Sequence, residues 1–149
     1  YEDGRIGDTV VEAPLVLGHE FAGTIAAIGP DALDGVHQPL QVGQRVAVEP
    51  GLPCWRCDRC EAGHPNLCRH LGFMGLAPHD GALQEFRLCP ARNCFPLPDG
   101  LSMETGALLE PLGVAVHAVD LGKIRVAQRV AVLGCGPIGL LIIRLAGLE

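Results

Sequence analysis

Four cysteines fall at Cys54-x2-Cys57-x2-Cys60-x7-Cys68. Four thiolates on one short loop can close a tetrahedral shell around Zn²⁺ with no open position, so an ion held there supports structure rather than reaction. The spacing Cys-x2-Cys-x2-Cys also opens a bacterial iron–sulfur motif, where the fourth cysteine comes about three residues later and precedes proline. Here seven residues intervene and Arg69 follows. A nucleic-acid zinc ribbon separates its two knuckles by about 15–20 residues, whereas this site is compressed into one loop. Zinc is the expected ion.

Two further places carry metal-competent groups. Gly18-His19-Glu20 sets an imidazole beside a carboxylate after a glycine, which can turn both toward one cleft. Taken alone, the pair reads first as an exposed surface histidine and glutamate, and only second as metal ligands. Glu110 lies between Ala107-Leu108-Leu109 and Pro111-Leu112. A carboxylate in such a run must be solvated, paired or bound to a metal, because burying it bare costs several kcal/mol. His117 is expected on a helix face and is given no role. Cys89, Cys94 and Cys135 read as ordinary small buried residues.

The run Gly134-x-Gly136-x-x-Gly139 is the third chemical signal. The first glycine permits a tight turn, the second lets a pyrophosphate approach the backbone, and the third lets the helix sit close on the strand. Pro137 suits the first helical turn, whose free N–H groups would face phosphate. The acidic residue that separates NAD from NADP is expected about 20 residues further on, past Glu149.

These residues need elements to position them. Residues 9–29 read as extended, broken by Pro14 and Gly18, with a strand across 21–28 ended by Gly29-Pro30. Residues 31–41 read as a polar loop, and a strand is expected at 45–48. The cysteine lobe, 53–70, has neither helical nor strand period. Another strand is expected at 83–88 and a turn at 96–100. Ser102 is the expected N-cap of a helix that runs toward Glu110, with Glu104 in its first turn. Pro111 should interrupt it, and 113–119 should resume as a second helix. A β-branched strand at 129–133 then leads through the glycine turn into an apolar helix at 140–148. Strands and turns first, then a β-turn-α unit, make the pattern of two domains joined by a helix.

Composition narrows the class. The chain has 149 residues, 48% hydrophobic and 19% charged, which excludes a disordered tail. A net charge of −6 with only 4% aromatic residues disfavours nucleic acid as a partner. No apolar run approaches the ~20 residues that cross a bilayer. Seven cysteines without a signal-peptide pattern argue against a secreted disulfide framework, and a cytoplasmic location is expected.

Together these features resemble the zinc-dependent medium-chain dehydrogenase/reductase family, and within it the sorbitol (polyol) dehydrogenase branch. Tyr1-Glu2-Asp3-Gly4-Arg5-Ile6-Gly7-Asp8 is similar to a stretch of that branch. Gly18-His19-Glu20, the four-cysteine lobe, Glu110-Pro111-Leu112 and the Gly134–Gly139 turn match family motifs. The resemblance implies mixed β and α/β structure: an incomplete GroES-like β-barrel catalytic domain over 1–111, joined through a linker helix to the first β-α unit of a Rossmann domain over 112–149. By position, His19 and Glu20 would bind catalytic zinc, and Glu110 would bind it too or hold its water. Cys54, Cys57, Cys60 and Cys68 would bind structural zinc. Gly134, Gly136, Pro137, Ile138 and Gly139 would line the pyrophosphate of NAD or NADP. The family's catalytic Cys ligand would precede Tyr1 and most of the Rossmann domain would follow Glu149, so the 149 residues read as a piece of a longer chain, inactive alone.

The implied activity is hydride transfer from a secondary alcohol or polyol to NAD(P), in a homo-oligomer, dimer or tetramer. Threonine and butanediol dehydrogenases share most of these motifs. A zinc-stabilised binding module without catalysis is the alternative from another class, and an iron–sulfur carrier a third.

Overall fold

The computed structural model describes residues 4–6, 9–12, 14–125 and 127–148. Of the opening 1–8 motif, positions 1–3, 7 and 8 lie outside the described residues, as does Glu149. Chain order runs β1 (Arg5–Ile6), β2 (Thr9–Val10), β3 (Ala22–Thr24), β4 (Arg45–Val48), β5 (Gly51–Leu52), α1 (Asp58–Glu61), β6 (Gly72–Phe73), β7 (Cys94–Pro96), α2 (Met103–Ala107), α3 (Leu109–Gly122) and α4 (Pro137–Ala146). Short 3₁₀ turns occupy Pro65–Leu67 and Ala91–Asn93.

The central sheet is antiparallel in the order β3-β4-β7, with Gly23 opposite Val46 and Ala47 opposite Phe95. β4 lies in the middle, so Val46, Ala47 and Val48 are all buried, as expected of a strand covered on both faces. Alternate residues point to opposite sides. Val46 and Val48 join Leu40, Met74 and Cys94 in the core. Small Ala47 faces the other way, into a recess it shares with Gly106 of α2. Gly106 is required there, since a Cβ would stand 2.6 Å from Leu97 Cδ1 and 3.0 Å from Ala22 Cβ. Two small sheets, β1-β2 and β5-β6, complete the strands.

Buried polar groups tie the loops to this sheet. Asp34, 2% exposed, accepts the N–H groups of Val36 at 2.9 Å and Gln38 at 2.8 Å, so the expected polar loop is a packed turn. Asn93 donates to the carbonyls of Glu49 and Gly51 at 2.7 and 2.6 Å. Arg45 donates to the carbonyls of Leu101 and Pro98 at 2.6 and 3.1 Å, which pins the turn that enters α2.

Several expectations need correction. The 21–28 strand is ladder-paired only over Ala22–Thr24. Residues 83–85 form bends and 86–88 are irregular, so no strand forms there; Gly81, Ala82 and Leu83 instead spend their N–H groups on Val16, Gly18 and Leu17. Residues 129–133 carry no strand: a strand needs a neighbour, and none pairs with them among the described residues. The cysteine lobe does contain a helical turn, α1. Cys94 is buried as expected and Cys89 half-buried, but Cys135 is exposed.

The helix break also sits elsewhere. Ser102 caps α2 as expected, its Oγ accepting the Thr105 N–H at 3.2 Å. The chain breaks at Leu108 rather than at Pro111, and α3 then runs unbroken from Leu109 to Gly122. Proline has no N–H to donate to the carbonyl four residues back and its ring crowds that carbonyl. Pro111 therefore ends α2 at Ala107 while fitting the first turn of α3. His117 lies exposed on α3. α4 packs against α3, and Ala118, Val119, Val130, Val132 and Ile142 line an open apolar hollow beside them. No helix of the described residues is long and apolar enough to cross a membrane.

Candidate metal centres and cofactor turn

The four cysteines converge. Their sulfurs lie within 4.8 Å of one another, with Cys57 Sγ 3.6 Å from Cys60 Sγ and 3.9 Å from Cys68 Sγ. A tetrahedron with Zn–S bonds of ~2.3 Å has edges of about 3.8 Å, so the spacing fits one zinc ion. A four-iron cluster of the bacterial kind would bind each thiolate to a different iron and hold the sulfurs further apart. All four thiols are free of disulfides.

Backbone donors prepare these thiols for a cation. Cys68 Sγ accepts the N–H groups of Cys54 at 3.2 Å and His70 at 3.3 Å. Burial pushes the Cys68 thiol up, but these donors more than offset it and its pKa is lowered. The N–H groups of Cys60 and Arg69 bring Cys57 down to about 6. Burial and the neighbouring sulfurs push Cys60 up to about 12. Outside the sulfurs, Arg69 grips Asp58 with two bonds of 2.6 and 2.8 Å, bracing the chain that leaves Cys68 against α1.

The second set assembles from distant parts of the sequence. His19, Glu20 and Glu110 each offer a ligand atom, all within 4.8 Å of one another. The break at Leu108 delivers Glu110 into the first turn of α3, where the helix dipole favours a carboxylate. Burial raises the Glu110 pKa; His19 opposes this, while Glu20 and Glu49 add to it. A cavity of about 190 Å³ opens beside Glu110, lined by Phe21, Glu49, Pro50, Phe95 and Leu109. A half-buried imidazole with two carboxylates is a donor set suited to a divalent cation.

The sequence left unread what holds this set in place. The Phe73 ring meets the His19 ring edge-on, centroids 5.3 Å apart and planes at 69°. Asp80 Oδ1 accepts the Val16 N–H at 2.9 Å. Gly18, with φ +94°, sits between Gly75 and Gly81, and a Cβ on either would strike its carbonyl. The Asp80-Gly81 pair carries a turn signal, but nothing in one sequence says which peptide it faces.

The glycine turn has the geometry its spacing predicts. Gly134 takes φ +107°, in the region that favours glycine. A Cβ at Gly136 would meet nothing within 4 Å, whereas one at Gly139 would collide with the Gly134 carbonyl. The second glycine thus leaves space for a ligand and the third lets α4 close onto the turn. Pro137 occupies the first turn of α4, and no side chain caps that helix, so the N–H groups of Ile138 and Gly139 face outward for an anion.

Known proteins resemble this chain in sequence and fold. The family described as the alcohol dehydrogenase GroES-like domain matches residues 1–99. The probable D-xylulose reductase A of Aspergillus fumigatus is 49% identical over 141 residues, which are 95% of this chain and 38% of that protein. Galactitol-1-phosphate dehydrogenase from Escherichia coli superposes with a TM-score of 0.79 at 36% identity, covering 91% of this chain and 37% of its own. A Sinorhizobium meliloti protein described as a zinc-binding dehydrogenase, solved bound to NADP, gives 0.81 at 39% identity over 91% of this chain and 38% of its own. The chain thus spans under two fifths of the length of these relatives.

Proposed function

The chain belongs to the family of alcohol dehydrogenase GroES-like domains, and from that footing we propose that its parent is a zinc-dependent NAD(P) polyol dehydrogenase of the sorbitol dehydrogenase type. The observation that carries the reading is the convergence of His19, Glu20 and Glu110 on one point, in a chain that also holds a four-thiol centre and a dinucleotide turn. The names of the relatives, D-xylulose reductase and galactitol-1-phosphate dehydrogenase, favour polyhydroxylated substrates over threonine or butanediol. Reduction of a ketose, run backwards, is oxidation of a polyol.

His19, Glu20 and Glu110 would hold the catalytic ion, and Cys54, Cys57, Cys60 and Cys68 the structural one. When bound, zinc supplies Lewis-acid polarisation of the substrate oxygen near neutral pH. Glu110 would reach the ion from the first turn of α3, across from His19 and Glu20. Phe21, Phe95 and Leu109 give the recess apolar walls, which limit water around the transferred hydride. Gly134, Gly136, Pro137, Ile138 and Gly139 would hold the cofactor pyrophosphate. Residues 1–111 form the catalytic domain in this reading, and 112–149 the linker helix and first unit of the dinucleotide domain. The parent is a cytoplasmic homo-oligomer.

The test is reduction of NAD⁺ and NADP⁺ by the full-length protein with xylitol, sorbitol, threonine and 2,3-butanediol. A polyol supports the largest kcat/KM. Equal or greater activity on threonine or the diol overturns the substrate class, and no cofactor reduction by any of the four overturns the enzyme.

A further inference from the structure

The residues around Gly18 point to a positioning group for the metal-binding pair. Val16 is held on both sides: its N–H donates to Asp80 Oδ1 at 2.9 Å, and its carbonyl accepts the Gly81 N–H at 2.6 Å. Leu17 and Gly18 give their carbonyls to the N–H groups of Leu83 and Ala82, both at 2.9 Å. The peptide that precedes His19 is then enclosed by Gly75 and Gly81 and by the Leu83 side chain, each at a distance a Cβ could not share. Of these four bonds, the one to the Asp80 carboxylate is made by a side chain and the other three by backbone.

We infer that Asp80 is a positioning residue for the metal site, registering residues 16–18 against 80–83 so that His19 and Glu20 face Glu110. The inference rests on the reading of His19, Glu20 and Glu110 as metal ligands. Asp80 is itself exposed and outside the ligand set, so it acts through the backbone. Without its acceptor, the Val16 N–H turns to water and the segment is held only by the three backbone bonds from the Val16, Leu17 and Gly18 carbonyls to 81–83, so its register loosens from the Val16 end. The ligand pair then spends less time in the geometry that closes on an ion, and the ion leaves faster.

The experiment follows zinc release from the full-length, zinc-loaded protein into a chelating dye. Two kinetic phases are expected, with the four-thiol centre the slower. Asp80→Ala should speed the faster phase about 3- to 10-fold, the range one net hydrogen bond supplies, and leave the slower phase unchanged. Asp80→Asn, whose amide oxygen can still accept the Val16 N–H, should release at the parent rate. Asp80→Glu, which moves the acceptor by one methylene, gives the same acceleration and replaces the alanine variant should that one not fold. A faster phase unaltered in Asp80→Ala overturns the inference alone, as does equal acceleration of both phases, which marks general loosening. A parent protein that releases zinc only from the four-thiol centre overturns the metal-site reading, and the inference with it.

Discussion

At the scale of single residues, the two metal-competent sets differ in how they are prepared. The four-thiol set is local in sequence and wired by its own backbone: N–H groups of the knuckles point at Cys57 and Cys68, so part of the charge stabilisation exists before a cation arrives. Asp58 and Arg69 extend that preparation outward. The Arg69 guanidinium holds the Asp58 carboxyl down to about 2 from its usual 3.8. A lowered folded-state pKa contributes stability above the unfolded value, and this is lost as pH falls through the folded one. The difference in melting temperature between the parent chain and Asp58→Asn should therefore be constant above about pH 5 and shrink as pH falls through about 4 toward about 2. Both partners are exposed, so the difference is small at neutral pH. The glycine turn gives a sharper expectation. Gly136→Ala has room for its methyl group in the free protein, so it should leave the melting temperature unchanged. In the full-length enzyme it should raise the cofactor Kd about tenfold or more by blocking pyrophosphate, read by fluorescence titration with NADH and NADPH.

At the scale of elements, the junction between sheet and helices sets the position of Glu110. Arg45 pins the 98–101 turn, Ser102 starts α2, Gly106 lets α2 lie on the sheet and Pro111 ends it. Ser102→Ala should cost about 1 kcal/mol, the worth of an N-cap, measured as a shift of the urea midpoint with an unchanged slope. Much of this junction was legible in the sequence, because caps and prolines act on their immediate neighbours. β4, the Ser102 cap and Pro137 at the head of α4 stand where the residues imply. The exact break was not, since Pro111 acts on the carbonyl of Ala107 rather than at its own position. The strands expected at 83–88 and 129–133 failed for a related reason. Apolar, β-branched residues state a willingness to pair, but pairing depends on a partner. Leu83 found Leu17 through one bond, and 129–133 has no ladder among the described residues.

At the scale of the whole molecule, the chain brings together groups that its sequence keeps far apart. His19 and Glu110 are 91 positions from one another in the chain, yet their ligand atoms meet within 4.8 Å. Glu110 in its apolar run called for a partner, whereas His19 and Glu20 were marked as ligands by the family resemblance and not by their own surroundings. Their supports were not legible: Phe73 on His19, Asp80 on Val16 and the three glycines around one peptide exist only through tertiary contact. The proposed function requires two separate zinc centres in the molecule, one structural and one that makes the enzyme work. Metal content of the full-length protein, with and without His19→Ala, tests it most directly when NAD(P)⁺ reduction by a polyol is measured on the same samples. The expected result is two zinc ions per chain in the parent and one in the variant, with kcat/KM lowered by about 10³-fold or more, as loss of Lewis-acid stabilisation of several kcal/mol requires. One zinc per chain in both proteins, or a variant that keeps its activity, would contradict it.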